Sequence, residues 1–102
     1  MAPNFERLAR PVINAGRSGT GSFERAYRSH FEVSPAVCVQ IWLLLEDAGL
    51  VVECIPVHLL WALFYLKNYE TEEVGAPRWA VSPKTYRKWV WIMTKIYQSF
   101  HW

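Results

Sequence analysis

The stretch from Thr71 to Trp91, TEEVGAPRWAVSPKTYRKWVW, constrains the fold of this chain more than any other part of the sequence. Within it, Ser82 stands directly before Pro83. A serine hydroxyl accepts a backbone N–H that the first turn of a helix leaves unpaired, and proline suits the first helical position. We therefore expect a helix to begin at Pro83.

The residues around this helix start follow the order of a helix-turn-helix. A small residue, Ala76, stands where two helices would cross, and Trp79 supplies an apolar side chain just before a turn at 80–81. Tyr86 and Trp89 are three residues apart, so both can face inward in the following helix. This order predicts a second helix, a short turn and a third helix.

Pro77 disturbs the expected second helix, which Thr71 would cap and in which Glu72 and Glu73 suit the first turn. Inside an unadapted helix, proline removes a backbone hydrogen bond and clashes with the preceding turn, at a cost of about 3 kcal/mol. The second helix is therefore expected either to be short and kinked or to restart at Pro77.

Charged residues are distributed unevenly along the chain. Residues 32–73 hold seven acids and a single cation, Lys67, whereas no acid follows Val74. The cations after Val74 are Arg78, Lys84, Arg87, Lys88 and Lys95. A segment with five cations and no anion suits a polyanionic partner. The alternative is a basic face that is only solvated, which is the commoner case for runs of charge.

The helix from Pro83 is expected to reach about Phe100 and to have two different faces. Its apolar face should contain Tyr86, Trp89, Val90, Met93, either Ile96 or Tyr97, and Phe100. Its opposite face should contain Lys84, Arg87, Lys88, Trp91 and Lys95. Because this basic face follows a helix-turn-helix pattern, we interpret it as a surface for the major groove of double-stranded DNA.

The candidate DNA-binding residues lie in or just before the third helix. They are Arg78, Ser82, Lys84, Thr85, Arg87, Lys88, Trp91 and Lys95. Base contacts should come from the N-terminal turns, where Ser82, Lys84, Thr85 and Lys88 are nearest to the groove. Trp91 has two interpretations, since it could stack on a sugar or base, or pack against the N-terminal helices or a further domain.

The rest of the sequence predicts an all-α fold, a small helical bundle that ends in the helix-turn-helix. Helix signals dominate over strand alternation, and 102 residues suffice for one domain with a real core. Further helices are expected at 4–15, interrupted by Pro11; at 23–31, capped by Ser22; at 35–48, capped by Ser34; and at 56–67. Residues 51–56 should form an extended connector. The Gly/Ser-rich residues 16–21 separate a flexible or partly helical arm, 1–21, from a helical domain, 22–102.

Apolar spacing also predicts which helix faces are buried. The aromatic stripe of the helix at 23–31, formed by Phe23, Tyr27 and Phe31, is interpreted as a packing face. The helix from Pro56 is apolar nearly all round, so it should be the central one. In the helix from Pro35, a 3.6-residue period selects Val37, Cys38, Ile41, Leu44, Leu45 and Ala48.

Cysteine and histidine spacing is not typical of a metal site. Cys38 and Cys54 stand in apolar contexts without a CxxC pattern, and we expect reduced, buried thiols. The histidines, His30, His58 and His101, are isolated. We expect no metal, no cofactor and no small-molecule substrate.

The N-terminus lacks the apolar segment of a signal peptide, and the longest apolar run, 57–66, is about half of a membrane span, so an intracellular protein is expected.

Two long stretches of the sequence resemble a known family. HLLWALFYLKNYETEEVGAPRWAVSPKTYRKWVWIMTKIY is similar to the N-terminal region of eukaryotic DDE-type transposases of the Harbinger-like class. FERAYRSHFEVSPAVCVQIWLLL resembles the helices that precede it, so the likeness covers roughly residues 23–98. Pro77 departs from the family, which usually has a good helix former there. The resemblance implies a nuclear, DNA-targeting helical domain that precedes a metal-dependent nuclease domain.

The resemblance does not extend to catalysis. The family's nuclease uses three acids to hold two divalent metals, and this sequence has no Asp or Glu after Glu73. Glu46, Asp47 and Glu53 lack metal-ligand spacing. Three hypotheses follow: a DNA-binding module without catalysis of its own, an interaction module that docks a nuclease domain or partner protein through exposed aromatics, and a non-functional transposase remnant.

Overall fold

The computed structural model describes residues 3–14, 23–51, 53–68 and 72–99, and within these ranges the chain is all helical with no strand. The six helices are α1 (Phe5–Asn14), α2 (Phe23–Phe31), α3 (Pro35–Asp47), α4 (Pro56–Asn68), α5 (Glu72–Arg78) and α6 (Pro83–Ser99). They form one small bundle with a radius of gyration of 13.2 Å. The predicted all-α fold class is confirmed.

The centre of the bundle is α4, as its sequence predicts. Its side chains are buried without a break from His58 to Phe64. The helices α1, α2, α3 and α6 all pack against it. A helix that is apolar on every side needs neighbours on every side, and α4 has them.

The N-terminal helix α1 is part of this bundle and runs through Pro11. Its Phe5, Ala9, Val12 and Ile13 are buried in the main core. The predicted interruption at Pro11 is wrong, since Pro11 lies on the exposed side, where water can pair the carbonyl that loses its intrahelical partner. The predicted cap Ser22 and the domain boundary at residues 21 and 22 lie outside the described residues.

Helix α2 buries its aromatic stripe, which confirms the interpretation of that stripe as a packing face. Tyr27 and Phe31 are buried and Phe23 packs against the core. The hydroxyl of Tyr27 donates to the Cys38 sulfur of α3 at 3.0 Å. Burial raises the pKa of Tyr27 and raises the pKa of the Cys38 thiol to about 11. Both groups are therefore neutral members of the core.

Helix α3 begins as predicted, with the Ser34 hydroxyl accepting the Val37 N–H at 3.3 Å. It ends at Asp47, and the turn that follows contains Gly49, which has φ +72°. Its buried face differs from the expected one, because Trp42 lies inside while Val37 and Leu44 are exposed. Since α3 is apolar on almost all sides, periodicity did not determine which side meets α1 and α4. Residues 51 and 53–55 form an irregular connection, with a turn from the Cys54 N–H to the Val51 carbonyl. No helix in the described ranges is long and apolar enough to cross a membrane.

Candidate nucleic-acid interface

The helix-turn-helix predicted around Pro83 corresponds to α5, a turn at 79–82, and α6. Helix α5 is short, with Pro77 as its sixth residue and Arg78 as its last. In a helix that begins at Glu72, Pro77 removes only the bond to the Glu73 carbonyl. The chain therefore accommodates this proline by ending the helix one residue later, and the helix does not restart at Pro77.

The turn closes α5 with the hydrogen bonds of a Schellman motif. The Val81 N–H donates to the Ala76 carbonyl at 3.2 Å, and the Ala80 N–H donates to the Pro77 carbonyl at 3.1 Å. Ala80 has φ 56°, in the left-handed region where glycine is usual. The same two bonds end α3, where Gly49 occupies the equivalent position. These bonds fix the direction in which the chain enters α6.

The two helices of the motif approach closely at small residues. Ala76 is fully buried, as the sequence predicts for the crossing point. The second close position, Gly75, is not indicated by the helix-turn-helix pattern; an added Cβ there would stand 2.9 Å from the Tyr86 hydroxyl oxygen. Its only sequence signal is a second small residue beside Ala76. The ring of Tyr86 thus lies directly on the backbone of α5.

Trp79 is the apolar plug of the turn. Its ring lies 6.0 Å from that of Phe31, 6.4 Å from that of Trp61 and 6.2 Å from that of Phe64, where the geometry is edge-on. It packs against both groups of buried residues, the main core and the smaller cluster around Tyr86. The helix-turn-helix is therefore anchored to α2 and α4.

Ser82 caps α6, as predicted. Its hydroxyl oxygen accepts the Thr85 N–H at 3.2 Å, while its O–H donates to the Thr85 hydroxyl oxygen at 2.9 Å. This arrangement uses the Ser82 hydrogen inside the cap. The cap does not use the hydroxyl hydrogen of Thr85, so Thr85 is the better placed of the two to donate to a ligand.

The two faces of α6 agree with the sequence pattern. Tyr86, Val90 and Met93 are buried, and Trp89, Ile96 and Tyr97 pack against the core. Phe100 lies outside the described residues. Thr94 is also buried, which the apolar pattern did not indicate.

All eight candidate DNA-binding residues are exposed: Arg78, Ser82, Lys84, Thr85, Arg87, Lys88, Trp91 and Lys95. Five of them form a stripe along α6, which we call the basic stripe: Lys84, Arg87, Lys88, Trp91 and Lys95. At 100° per residue the stripe covers about 100° of the helix surface and runs roughly 16 Å along it. Trp91 is 51% exposed and lies along the stripe between Lys88 and Lys95.

Aromatic rings restrain some of these cations. The Lys88 ammonium lies 4.8 Å from the ring centroid of Trp89. The Arg78 guanidinium lies 5.7 Å from that of Phe64 and so belongs to the edge of the motif near α4. Trp91 has a ring neighbour in Tyr65 of α4, at 6.5 Å. Restrained side chains lose less entropy when they bind.

The support beneath the basic stripe includes His58, which the sequence showed only as an isolated histidine. Its Nδ1 accepts the Ile55 N–H at 3.2 Å, and its ring stacks on Trp89 of α6. Burial lowers the pKa of His58 to about 4. A neutral imidazole therefore connects the start of α4 to α6.

The described part of the chain contains no cluster of metal-ligating side chains, and its two thiols are buried. No group of three or more His, Cys, Asp or Glu side chains lies close enough there to hold an ion. Cys38 and Cys54 are both free and buried, and burial raises the pKa of each thiol.

No protein family, curated protein or solved structure matches this chain. The residues of the basic stripe and their supports therefore carry the functional argument.

Proposed function

We propose that α5 and α6 form a helix-turn-helix that binds double-stranded DNA, with α6 in the major groove. The observation that carries this proposal is the basic stripe itself, exposed along one side of α6 while the opposite side is packed into the core. A helix anchored on one side and cationic on the other meets both the shape and the charge of a major groove.

The roles of the side chains follow from their positions on α6. Lys84, Thr85 and Lys88 occupy the N-terminal turns, which face base edges in this docking geometry. Arg87 and Lys95 extend the contact to phosphates. Ser82 contributes by capping α6, and Arg78 contacts the DNA backbone beside the motif.

The wider context of this module follows from its resemblance to Harbinger-like DDE transposases. We infer a nuclear targeting module that delivers a nuclease domain to DNA and performs no catalysis of its own. An aromatic-rich helix that leads into an apolar helix, as α2 leads into α3, followed later by the basic helix α6, supports this inference.

The proposal is tested by removing two cations of the basic stripe. Lys84→Ala combined with Lys88→Ala should weaken binding to a terminal-repeat duplex at about 150 mM salt. The matched control is Arg7→Ala with Arg25→Ala, which removes the same charge from exposed positions of α1 and α2. If the lysine variant binds as tightly as the wild type, or if the arginine variant loses as much affinity, α6 is not the DNA-binding surface.

A second candidate function is a protein-interaction module. Among the described residues Trp91 is the one exposed aromatic, and it lies among cations; Trp102 lies outside the described residues. The observation that favours this candidate is the aliphatic outer face of α3, where Val37, Leu43 and Leu44 are exposed.

A thermal melt of the 102-residue chain without a partner separates both candidates from a non-functional remnant, which should lack a cooperative transition.

A further inference from the structure

The outer face of α3 is apolar, although it packs against nothing in the described part of the chain. Val37 is 38% exposed, Leu43 41% and Leu44 49%, whereas the opposite side of the same helix is buried through Cys38 and Leu45. A shallow, open depression of about 850 Å³ runs beside Gln40, Leu43, Leu44, Glu46 and Asp47. Single exposed leucines are ordinary on a protein surface, but several on one helix face indicate a contact surface.

Charges on α3 are placed against its own dipole. Its last turn ends in Glu46 and Asp47 and contains no basic residue, while its first turn contains no acidic residue. The C-terminus of a helix has partial negative charge, so these two carboxylates are unfavourable where they stand. They would be favourable beside the N-terminus of another helix that runs in the opposite direction.

A second copy of α3 supplies that N-terminus. We propose that this chain forms a homodimer in which α3 packs antiparallel against α3 of the second copy, about a two-fold axis beside Gln40. Because Val37 precedes Gln40 by three residues and Leu44 follows it by four, this arrangement places Val37 of each copy against Leu44 of the other. Asp47 then lies opposite the first turn of the second copy, where the Ala36 N–H can donate to it.

The residue at the axis suits a symmetric contact. An amide both donates and accepts hydrogen bonds, so Gln40 can pair with its own copy, which a carboxylate or an ammonium cannot do. The contact leaves the basic stripe on α6 outside the interface. This inference does not depend on DNA binding, although two linked copies of α6 would suit two symmetric half-sites.

Sedimentation velocity of the full chain, from about 1 µM to about 1 mM, tests the dimer directly. The wild type should dimerise, and Leu44→Glu should raise the dissociation constant about tenfold or more by burying a charge against Val37. Asp47→Lys should also weaken the dimer, even though a cation at the C-terminus of α3 suits the dipole of its own helix. Val74→Glu, at an apolar position of α5 that is 48% exposed, is the matched control and should leave association unchanged.

Cysteine cross-linking tests the antiparallel register. Gln40→Cys should form a disulfide with its own copy under mild oxidation, and a mixture of Val37→Cys and Leu44→Cys chains should form mainly mixed dimers. The native Cys38 and Cys54 are buried and should not compete. A wild-type chain that stays monomeric to the highest concentration overturns the proposal. A dimer insensitive to Leu44→Glu, or a Val37→Cys chain that links mainly to itself, does so as well.

Discussion

The imidazole of His58 lies flat on the indole of Trp89, with ring centroids 4.3 Å apart and planes inclined by 11°. His58 belongs to α4 and Trp89 to α6, so this stack joins the central helix to the helix that carries the basic stripe. The same imidazole accepts the N–H of Ile55 at the start of α4. In this position it performs the task that Glu or Gln performs at the third residue of a capping box.

Acid should destabilise the fold through His58. The folded state favours the neutral ring, with a pKa of about 4 against an ordinary value of 6.5. The unfolded chain therefore binds more protons between these values, and stability falls as the pH falls from about 6.5 to about 4. At 1.36 kcal/mol per pKa unit the loss is on the order of 3 kcal/mol. Urea denaturation across this pH range measures it.

The variant His58→Gln is the control for that prediction. A glutamine amide can still accept the Ile55 N–H but does not titrate, so stability should vary less with pH although it starts lower. Equal slopes in the wild type and the variant would assign the acid sensitivity to other groups.

Ala80→Gly should stabilise the protein. Ala80 is exposed and has φ 56°, so the substitution relieves a left-handed conformation without losing a packed side chain. The gain should be about 0.5–1 kcal/mol, reduced by the greater freedom of glycine in the unfolded chain. In a chain of this size that corresponds to a melting temperature about 4 °C higher.

Gly49 provides the opposite substitution at the equivalent position of α3. Nothing lies within 4 Å of a Cβ built on Gly49, which has φ +72°, so Gly49→Ala tests the backbone conformation alone. It should lower stability by about 1 kcal/mol. Calorimetry that finds both substitutions neutral would show that neither turn is strained by a side chain.

Gly75→Ala should destabilise the contact between α5 and α6. The new methyl group would stand 2.9 Å from the Tyr86 hydroxyl oxygen and 3.0 Å from two ring carbons, and Tyr86 is itself only 1% exposed. Overpacking costs about 1–3 kcal/mol, which exceeds the roughly 1 kcal/mol that alanine gains over glycine as a helix former. The free energy of unfolding should therefore decrease.

A double-mutant cycle checks the cause. Tyr86→Phe removes the nearest atom, so Gly75→Ala should cost less in that background than in the wild type. Additive losses at the two positions would mean that the ring does not set the spacing of the helices.

Local signals explain the parts of this fold that the sequence predicted well. Ser34 and Ser82 each cap a helix that begins with proline, and capping depends only on neighbouring residues. The inward face of α6 was also predicted, because cations on one side left a single choice for the other. Both features can be read from a short window of sequence.

The features that the sequence did not predict depend on contacts between helices. Helix α3 has apolar residues on almost every side, so only packing against α1 and α4 decided that Trp42 is buried and Leu44 exposed. The role of His58 depends on Trp89, and that of Gly75 on Tyr86, each on a different helix. Residue spacing along one helix contains no information about such partners.

The salt dependence of DNA binding separates the charges of the basic stripe from its aromatic residue. Each phosphate contact contributes about 0.9 to the slope of log affinity against log salt. Arg87→Ala with Lys95→Ala should therefore reduce the magnitude of that slope by about 2, because these two side chains are the ones assigned to phosphates. Fluorescence anisotropy with a labelled duplex at several salt concentrations gives the slope.

Trp91→Ala should behave differently, because an indole releases no counterions from DNA. If Trp91 stacks on a sugar or base, its loss should weaken binding by roughly 1–3 kcal/mol at every salt concentration and leave the slope unchanged. Trp91 is 51% exposed and its one described ring neighbour is Tyr65 at 6.5 Å, so the substitution should not disturb the core. A changed slope with unaltered thermal stability would mean that Trp91 positions the neighbouring cations and does not touch the nucleic acid itself.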